Sequence, residues 1–448
     1  MKNDNPIVVV GLGKTGISVI RYLINNGSKV IAVDDRMNPP ALEELKNNFP
    51  DVPYYLGPFD EQLFMQASTL IVSPGLSLNT PAVKKCRDSG IEVIGDIELF
   101  ASAAKKPIIA ITGSNGKSTV VTLIGAILKD YGKRVGMGGN LGTPALDLLN
   151  QEVDYYVLEL SSFQLETTYS LRAEVTTVLN LSEDHMDRYQ NVEEYLEAKL
   201  RIYNGAATQV INLDEPRLCS RFDPSRNNRT VSFSLNNPHA DFNAPGDYLL
   251  YHSEKIMAVD ELKMRGRHNV SNALAALAIG HSLGVPISSM ATTLRSFSGL
   301  EHRCQWIRTI DGISWYDDSK GTNVGATRAA IAGLGATLSG KKIILIAGGI
   351  GKGADFFLLS DALEKHVKLT ILMGQDATLI HKALESYGEF LYADSMTSAV
   401  KLAHNNAQNG DIVLLSPACS SLDMFDNFEH RGNVFISEVN GIWKETDP

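Results

Sequence analysis

The sequence predicts an α/β protein made of three units in series. Short apolar runs recur along all 448 residues and alternate with helical stretches, the pattern of parallel strands buried on both faces. Two glycine loops, Gly11-Leu-Gly-Lys-Thr-Gly16 and Gly113-Ser-Asn-Gly-Lys117-Ser118, each lie between such a run and a helix. The length is that of two to four domains, each with its own core.

In the first unit, residues 7–10 read as a strand and 16–25 as a helix. Residues 29–33, 69–72 and 92–94 read as further strands. The loop between the first strand and helix is a full G-x-G-x-x-G. Asp34 and Asp35 end the next strand, at the spacing used for a ribose hydroxyl. Taken by themselves, these features imply NAD(P). A boundary is expected between residues 95 and 106, where a new strand starts.

That strand leads into Thr112-Gly-Ser-Asn-Gly-Lys-Ser-Thr119 and an apolar helical stretch. This is how a chain builds a phosphate cradle. Gly113 and Gly116 let backbone N–H groups turn inward around Ser114 and Asn115, and the helix N-terminus adds positive potential. Lys117 can reach the β- and γ-phosphates and Ser118 can hold Mg²⁺. The loop is shorter than G-x-x-x-x-G-K-[ST], because residue 111 is isoleucine.

Further strands are expected at 154–160, 176–181 and 210–212. Glu159 falls at a strand end, where an acid either faces solvent or supports a metal. The acids around His185 in Asn180-Leu-Ser-Glu-Asp-His185-Met-Asp-Arg188 form either a second metal site or a hydrated turn. Lys199 continues the apolar stripe Val192, Tyr195, Leu196 of a helix. It either snorkels at the helix edge or is held in a site. Residues 221–265, polar with short alternating runs, suggest a small antiparallel side sheet, and a helix follows from about 269 to 283.

The third unit has strands at 313–316, 342–347, 369–373 and 411–415. Asp317-Asp318-Ser-Lys320-Gly-Thr322-Asn, Gly348-Gly-Ile-Gly-Lys352-Gly and Ser416-Pro-Ala-Cys-Ser-Ser421-Leu422-Asp each follow a strand. They should share one rim, suited to phosphates or carboxylates.

The formal charge of −10 argues against a nucleic-acid partner. The four cysteines, Cys86, Cys219, Cys304 and Cys419, form no C-x-x-C pair, which points to a reducing cytoplasm rather than a disulfide framework or zinc site. No signal peptide is expected, and no apolar run reaches the ~18 residues of a membrane span.

Together these motifs, with His268-Asn-Val-Ser-Asn272, Gly299-Leu-Glu-His-Arg303 and the closing Ser421-Leu-Asp-x-Phe-x-x-Phe428-x-x-Arg-Gly432, resemble the Mur ligase family of peptidoglycan synthesis along the whole chain. The shortened phosphate loop is that family's own form. The resemblance implies a Rossmann-like N-terminal domain (1–95) that binds uridine diphosphate rather than a nicotinamide. It implies a central P-loop domain (96–299) and a Rossmann-like C-terminal amino-acid-binding domain (300–448).

The implied reaction is ATP-dependent ligation of D-glutamate to UDP-N-acetylmuramoyl-L-alanine through an acyl phosphate and a tetrahedral intermediate. By position, Gly113 to Thr119 resemble the residues that serve the ATP phosphates. Ser118, Glu159, His185 and Lys199 resemble the ligands of two Mg²⁺ ions, Lys199 being carbamylated. Asn140 resembles a substrate-proximal residue. Asn272, Arg303, Asp318 and Lys320 resemble residues that grip ATP across a hinge, so closure of the third domain on the second is expected. Lys14, Thr15, Asp34, Arg36 and Ser73 match the nucleotide-sugar positions. Thr322, Lys352, Ser421, Leu422 and Phe428 match those that hold D-glutamate. A cytoplasmic monomer without membrane insertion is expected. Two rivals remain at this level: an NAD(P)-dependent oxidoreductase, which leaves the Lys117 loop unexplained, and a non-catalytic ATP-binding module, which leaves Glu159, His185 and Lys199 without purpose.

Overall fold

The computed structural model describes residues 5–140, 142–184, 188–221, 229–264, 266–335, 338–340 and 342–442. Among the described residues, the chain forms three sheets in series. The first has five parallel strands in the order Tyr54–Leu56, Val30–Asp34, Ile7–Val10, Thr69–Val72, Glu92–Ile94. Four of them are the predicted apolar runs. Tyr54–Leu56 carries no such signal, because it is a short edge strand whose Tyr54 and Tyr55 face solvent.

The second sheet has nine strands: Glu254–Ala258, Tyr248–Tyr251, Phe242–Asn243, Arg229–Ser234, Thr208–Asn212, Val175–Val178, Ile108–Thr112, Tyr155–Glu159, Val135–Gly139. Antiparallel pairing does occur among the three edge strands. They extend the central sheet, however, and form no separate side sheet. Arg229–Ser234 differs further from expectation, pairing in parallel with Thr208–Asn212. Its Val231 and Phe233 belong to the apolar cluster that includes Ala273 to Ile279 of the helix Arg267–Ser282, and this holds the strand on the main sheet.

The third sheet runs Gln305–Ile310, Ile313–Asp317, Ile412–Leu415, Ile343–Gly348, Val367–Met373, Phe390–Tyr392. Only its first pair is antiparallel.

One apolar cluster spans the first two units. Leu12, Ile17 and Ile20 pack in it with Ile97, Phe100, Ala110 and Leu158. The third unit fills its own two clusters, from Ile310 to Val439. Its contacts with the central unit near the phosphate loop are polar, which matters for the site below.

Candidate active site

Strand Ile108–Thr112 delivers the phosphate loop at its C-terminal end, and helix Lys117–Asp130 leaves from it. Gly116 adopts φ 82°, and a Cβ there would meet Asn272 Oδ1 at 2.4 Å, so only glycine fits. The loop is braced from the next strand. Asn115 N–H donates to Asn180 Oδ1 at 2.8 Å, Asn180 Nδ2 returns a bond to the Asn115 carbonyl at 3.0 Å, and Ser114 Oγ exchanges hydrogen bonds with Ser182.

Glu159 ends strand Tyr155–Glu159 and is 4% exposed, which removes the solvent-facing reading. Its Oε2 accepts from Ser118 Oγ at 2.7 Å and its Oε1 from Asn140 Nδ2 at 3.0 Å. Burial pushes its pKa up, but Lys117, the two hydrogen bonds and Arg303 outweigh that and hold it below the usual range. An ionised carboxylate beside a hydroxyl is a donor set for a hard cation such as Mg²⁺, which takes one or two carboxylates and completes its shell with phosphate and water. Among the described residues no cluster of three or more His, Cys, Asp or Glu forms. His185, the expected ligand from the neighbouring loop, lies outside the described residues.

Lys199 is 1% exposed, so it does not snorkel. Its Nζ donates to the Gly113 carbonyl at 3.0 Å and sits 4.4 Å from the Tyr195 ring centroid. Lys117 Nζ donates to that same carbonyl at 2.8 Å and to the Ser114 carbonyl at 2.9 Å. Burial, then the Lys117 charge, lowers the Lys199 pKa well below that of a free amine.

A cavity of about 230 Å³ opens beside the loop, lined by Asn115, Gly116, Thr119 and Asn272 from the central unit and by Arg303, Asp318 and Lys320 from the third. Arg303 reaches across to Ser118 Oγ at 3.1 Å. Asp318 accepts from Ser416 Oγ at 2.6 Å and from Cys304 N–H at 3.1 Å, yet burial raises its pKa to about 7. Burial, aided by Arg303, lowers that of Lys320 to about 8.

A second cleft, about 480 Å³, lies between the first and central units and is lined by Lys14, Thr15, Asp34, Arg36 and Ser73. Its far wall includes Asn140 and Gln164, so it runs from the first glycine loop to the Glu159 network. Asp34 accepts four hydrogen bonds, from the Leu12 and Arg36 N–H groups and from Arg36 Nε and Nη2. Its lone pairs are thereby filled, leaving none for the ribose diol that the dinucleotide reading needs.

Thr322 and Lys352 line a third cavity of about 400 Å³, with Asp184 and Arg328 on its walls. Lys352 holds a left-handed φ of 53°, uncommon for a lysine. Ser421, Leu422 and Phe428 are not among its lining residues. Ser421 is buried, Leu422 is 66% exposed, and the Phe428 ring lies 3.7 Å beneath Lys320 Nζ.

Sequence reasoning missed Gln164 as a cleft residue. Its place in the capping box Ser161-x-x-Gln164 reads as a helix start and hides that role. It also missed Asn180 as the brace of the phosphate loop.

A glycine-loop cavity walled by the central and third units, with a cleft beside it toward a Rossmann-like domain, is an arrangement suited to an enzyme that binds a nucleotide and a second substrate. Family models match in the same order: the MurD-like N-terminal domain of Mur ligases over residues 5–95, the Mur ligase middle domain over 111–280, and the Mur ligase glutamate ligase domain over 302–419. The UDP-N-acetylmuramoylalanine–D-glutamate ligase of Pseudomonas syringae pv. syringae is 52% identical over 444 residues, 98% of each chain. The enzyme of the same name from Coxiella burnetii is 48% identical over 446 residues, covering 99% of this chain and 100% of its own. Among solved structures, a pseudomurein peptide ligase type C from Methanothermus fervidus superposes with a TM-score of 0.63 at 20% identity, covering 97% and 100% of the two chains. UDP-N-acetylmuramate-alanine ligase MurC from Thermotoga maritima superposes with 0.61 at 18%, covering 98% and 99%. The chain belongs to the Mur ligase family.

Proposed function

We propose that this protein joins D-glutamate to UDP-N-acetylmuramoyl-L-alanine at the expense of ATP, as a step of peptidoglycan precursor synthesis. The observation that carries the reading is the continuity of the 480 Å³ cleft with the Asn140–Glu159–Ser118 chain. A substrate whose diphosphate rests on the glycine loop at Gly11 to Gly16 would present its carboxylate end to the γ-phosphate held at Lys117. The relatives named for this reaction match along nearly the whole chain.

The substrate carboxylate attacks the γ-phosphorus, forming an acyl phosphate and releasing ADP. The D-glutamate amine then attacks the acyl carbon. The tetrahedral intermediate loses the amine proton and expels phosphate, leaving an amide. A carboxylate is a poor acyl donor, and phosphorylation gives it a leaving group. Loop N–H groups, Lys117 and Arg303 oppose the charge that builds on the transferring phosphoryl. Asn272, Asp318 and Lys320 hold the nucleotide from both sides of the hinge. Thr322 and Lys352 line the cavity that would receive the amino acid.

Ser118 and Glu159 would hold one Mg²⁺, and His185 with Lys199 would support a second; such ions neutralise phosphate charge. A neutral Lys199 amine, which burial and the Lys117 charge favour, can add CO₂, release a proton and become an anionic oxygen ligand. The domains divide at 95/96 and 299/300, and the enzyme acts as a cytoplasmic monomer; among the described residues no helix is long and apolar enough to cross a membrane.

Trapping tests the first step. Protein, ATP and nucleotide-sugar, quenched with borohydride, should yield the alcohol of the reduced acyl phosphate, and Glu159→Gln should lower its yield at least ~100-fold. Turnover of the full mixture with no trappable acyl species would sink the acyl-phosphate route.

A further inference from the structure

Arg188 follows the loop expected to carry metal ligands, yet its guanidinium turns toward the first domain. Nη1 donates to the Pro74 carbonyl at 2.7 Å, and Nη2 to the Leu76 carbonyl at 3.0 Å. Nη2 also meets Glu166 Oε2 at 2.9 Å, and the guanidinium carbon lies 3.9 Å over the Phe163 ring centroid. The second Glu166 oxygen accepts from Tyr189 OH at 2.5 Å, and the Tyr189 ring stacks on Phe163. The Arg188 side chain is only 12% exposed and Glu166 17%, so this pair is far better shielded than a surface ion pair.

The turn that Arg188 holds forms one wall of the nucleotide-sugar cleft: Ser73, Pro74, Gly75 and Leu76 all line it. Ser73 Oγ in turn donates to the Gly11 carbonyl at 3.1 Å, at the start of the glycine loop. One side chain of the central domain thus fixes a turn of the first domain against the phosphate-binding loop. The carbonyls of residues 74 and 76 point at different donors of a single planar fork, which a lysine's point charge cannot reproduce.

We propose that Arg188 is a positioning residue that fixes turn 73–76 over the cleft and thereby sets affinity for the nucleotide-sugar. This rests on reading that cleft as the UDP-N-acetylmuramoyl-L-alanine site. Arg188 touches no ATP-cavity residue through these contacts, so its loss should separate the two substrates.

The test is calorimetric binding of UDP-N-acetylmuramoyl-L-alanine and of ATP, with KM and kcat for each, on the wild type, Arg188→Lys and Glu166→Gln. Arg188→Lys should raise Kd and KM for the nucleotide-sugar at least about ten-fold and leave ATP binding within about two-fold. Glu166→Gln, which keeps a neutral acceptor, should raise the same KM by a smaller factor. Unchanged nucleotide-sugar affinity in Arg188→Lys, or equal losses for both substrates, overturns the assignment. Should Arg188→Lys not fold, an unchanged nucleotide-sugar KM in Glu166→Gln overturns it instead. Wild-type protein that binds no nucleotide-sugar would overturn the underlying reading of the cleft rather than the role of Arg188.

Discussion

Burial decides what each charge at this site can do. Glu159 stays ionised because Lys117, Ser118 and Asn140 answer its charge, whereas burial, then the Lys117 charge, drives Lys199 toward neutrality. Asp96 shows the same physics with too little compensation: its hydrogen bonds lower its pKa less than burial raises it. It is 3% exposed, accepts one side-chain bond, from Gln164 Nε2 at 3.2 Å, and leaves Oδ1 without a partner. Burial raises its pKa from 3.8 to about 6. Between those values the native state binds more protons than the unfolded chain, so stability is highest below the lower value and falls as pH rises to the upper one. Asp96→Asn keeps an acceptor for Gln164 and removes the charge. Its melting temperature at pH 8 should exceed that of the wild type, by about 3 kcal/mol of stability at most, and the gain should vanish near pH 3.5. A gain of equal size at both pH values would contradict this origin. The sequence exposed Lys199, because a lysine on an apolar stripe is a visible anomaly. It could not expose Asp96 or Gln164, whose pairing joins residues distant in the chain.

At the scale of elements, the phosphate loop was legible because strand, glycines, Lys-Ser and helix follow one another directly. Strands Val135–Gly139 and Tyr54–Leu56 were not: three of the five residues in Val-Gly-Met-Gly-Gly are glycines, and the other strand lies at an exposed edge. The edge strands after residue 240 were read as a separate sheet because alternation reports pairing geometry and not which sheet a strand joins. The loop's shape depends on Gly116. Gly116→Ala adds a Cβ that collides with Asn272 Oδ1 and strains a left-handed φ. It should lower kcat/KM for ATP by about 100-fold, about 2.7 kcal/mol at the transition state. A variant with wild-type kcat/KM for ATP would show that the loop relaxes freely.

Across the whole molecule, the first two units share an apolar cluster while the third has its own. The third is joined to the phosphate loop by polar contacts, Arg303 to Ser118 and Asn323 Nδ2 to Asn115 Oδ1 at 3.3 Å. Polar contacts can open and re-form at small net cost, so the third domain is the one able to move. Solution scattering should show a smaller radius of gyration with a non-hydrolysable ATP analogue and nucleotide-sugar than without them. Identical curves would count against closure. The three-unit order could be read from the sequence because each unit opens on its own strand and glycine turn. Which unit shares a core with which could not, since that depends on helix faces brought together only by folding.

Whether this protein is a D-glutamate ligase is decided by ATP-dependent phosphate release with UDP-N-acetylmuramoyl-L-alanine, with D-glutamate set against L-glutamate, L-alanine and glycine. Release with D-glutamate alone is the predicted result. Release with another of these amino acids would keep the ligase chemistry and refute the specificity, and no release with any of them would contradict the account.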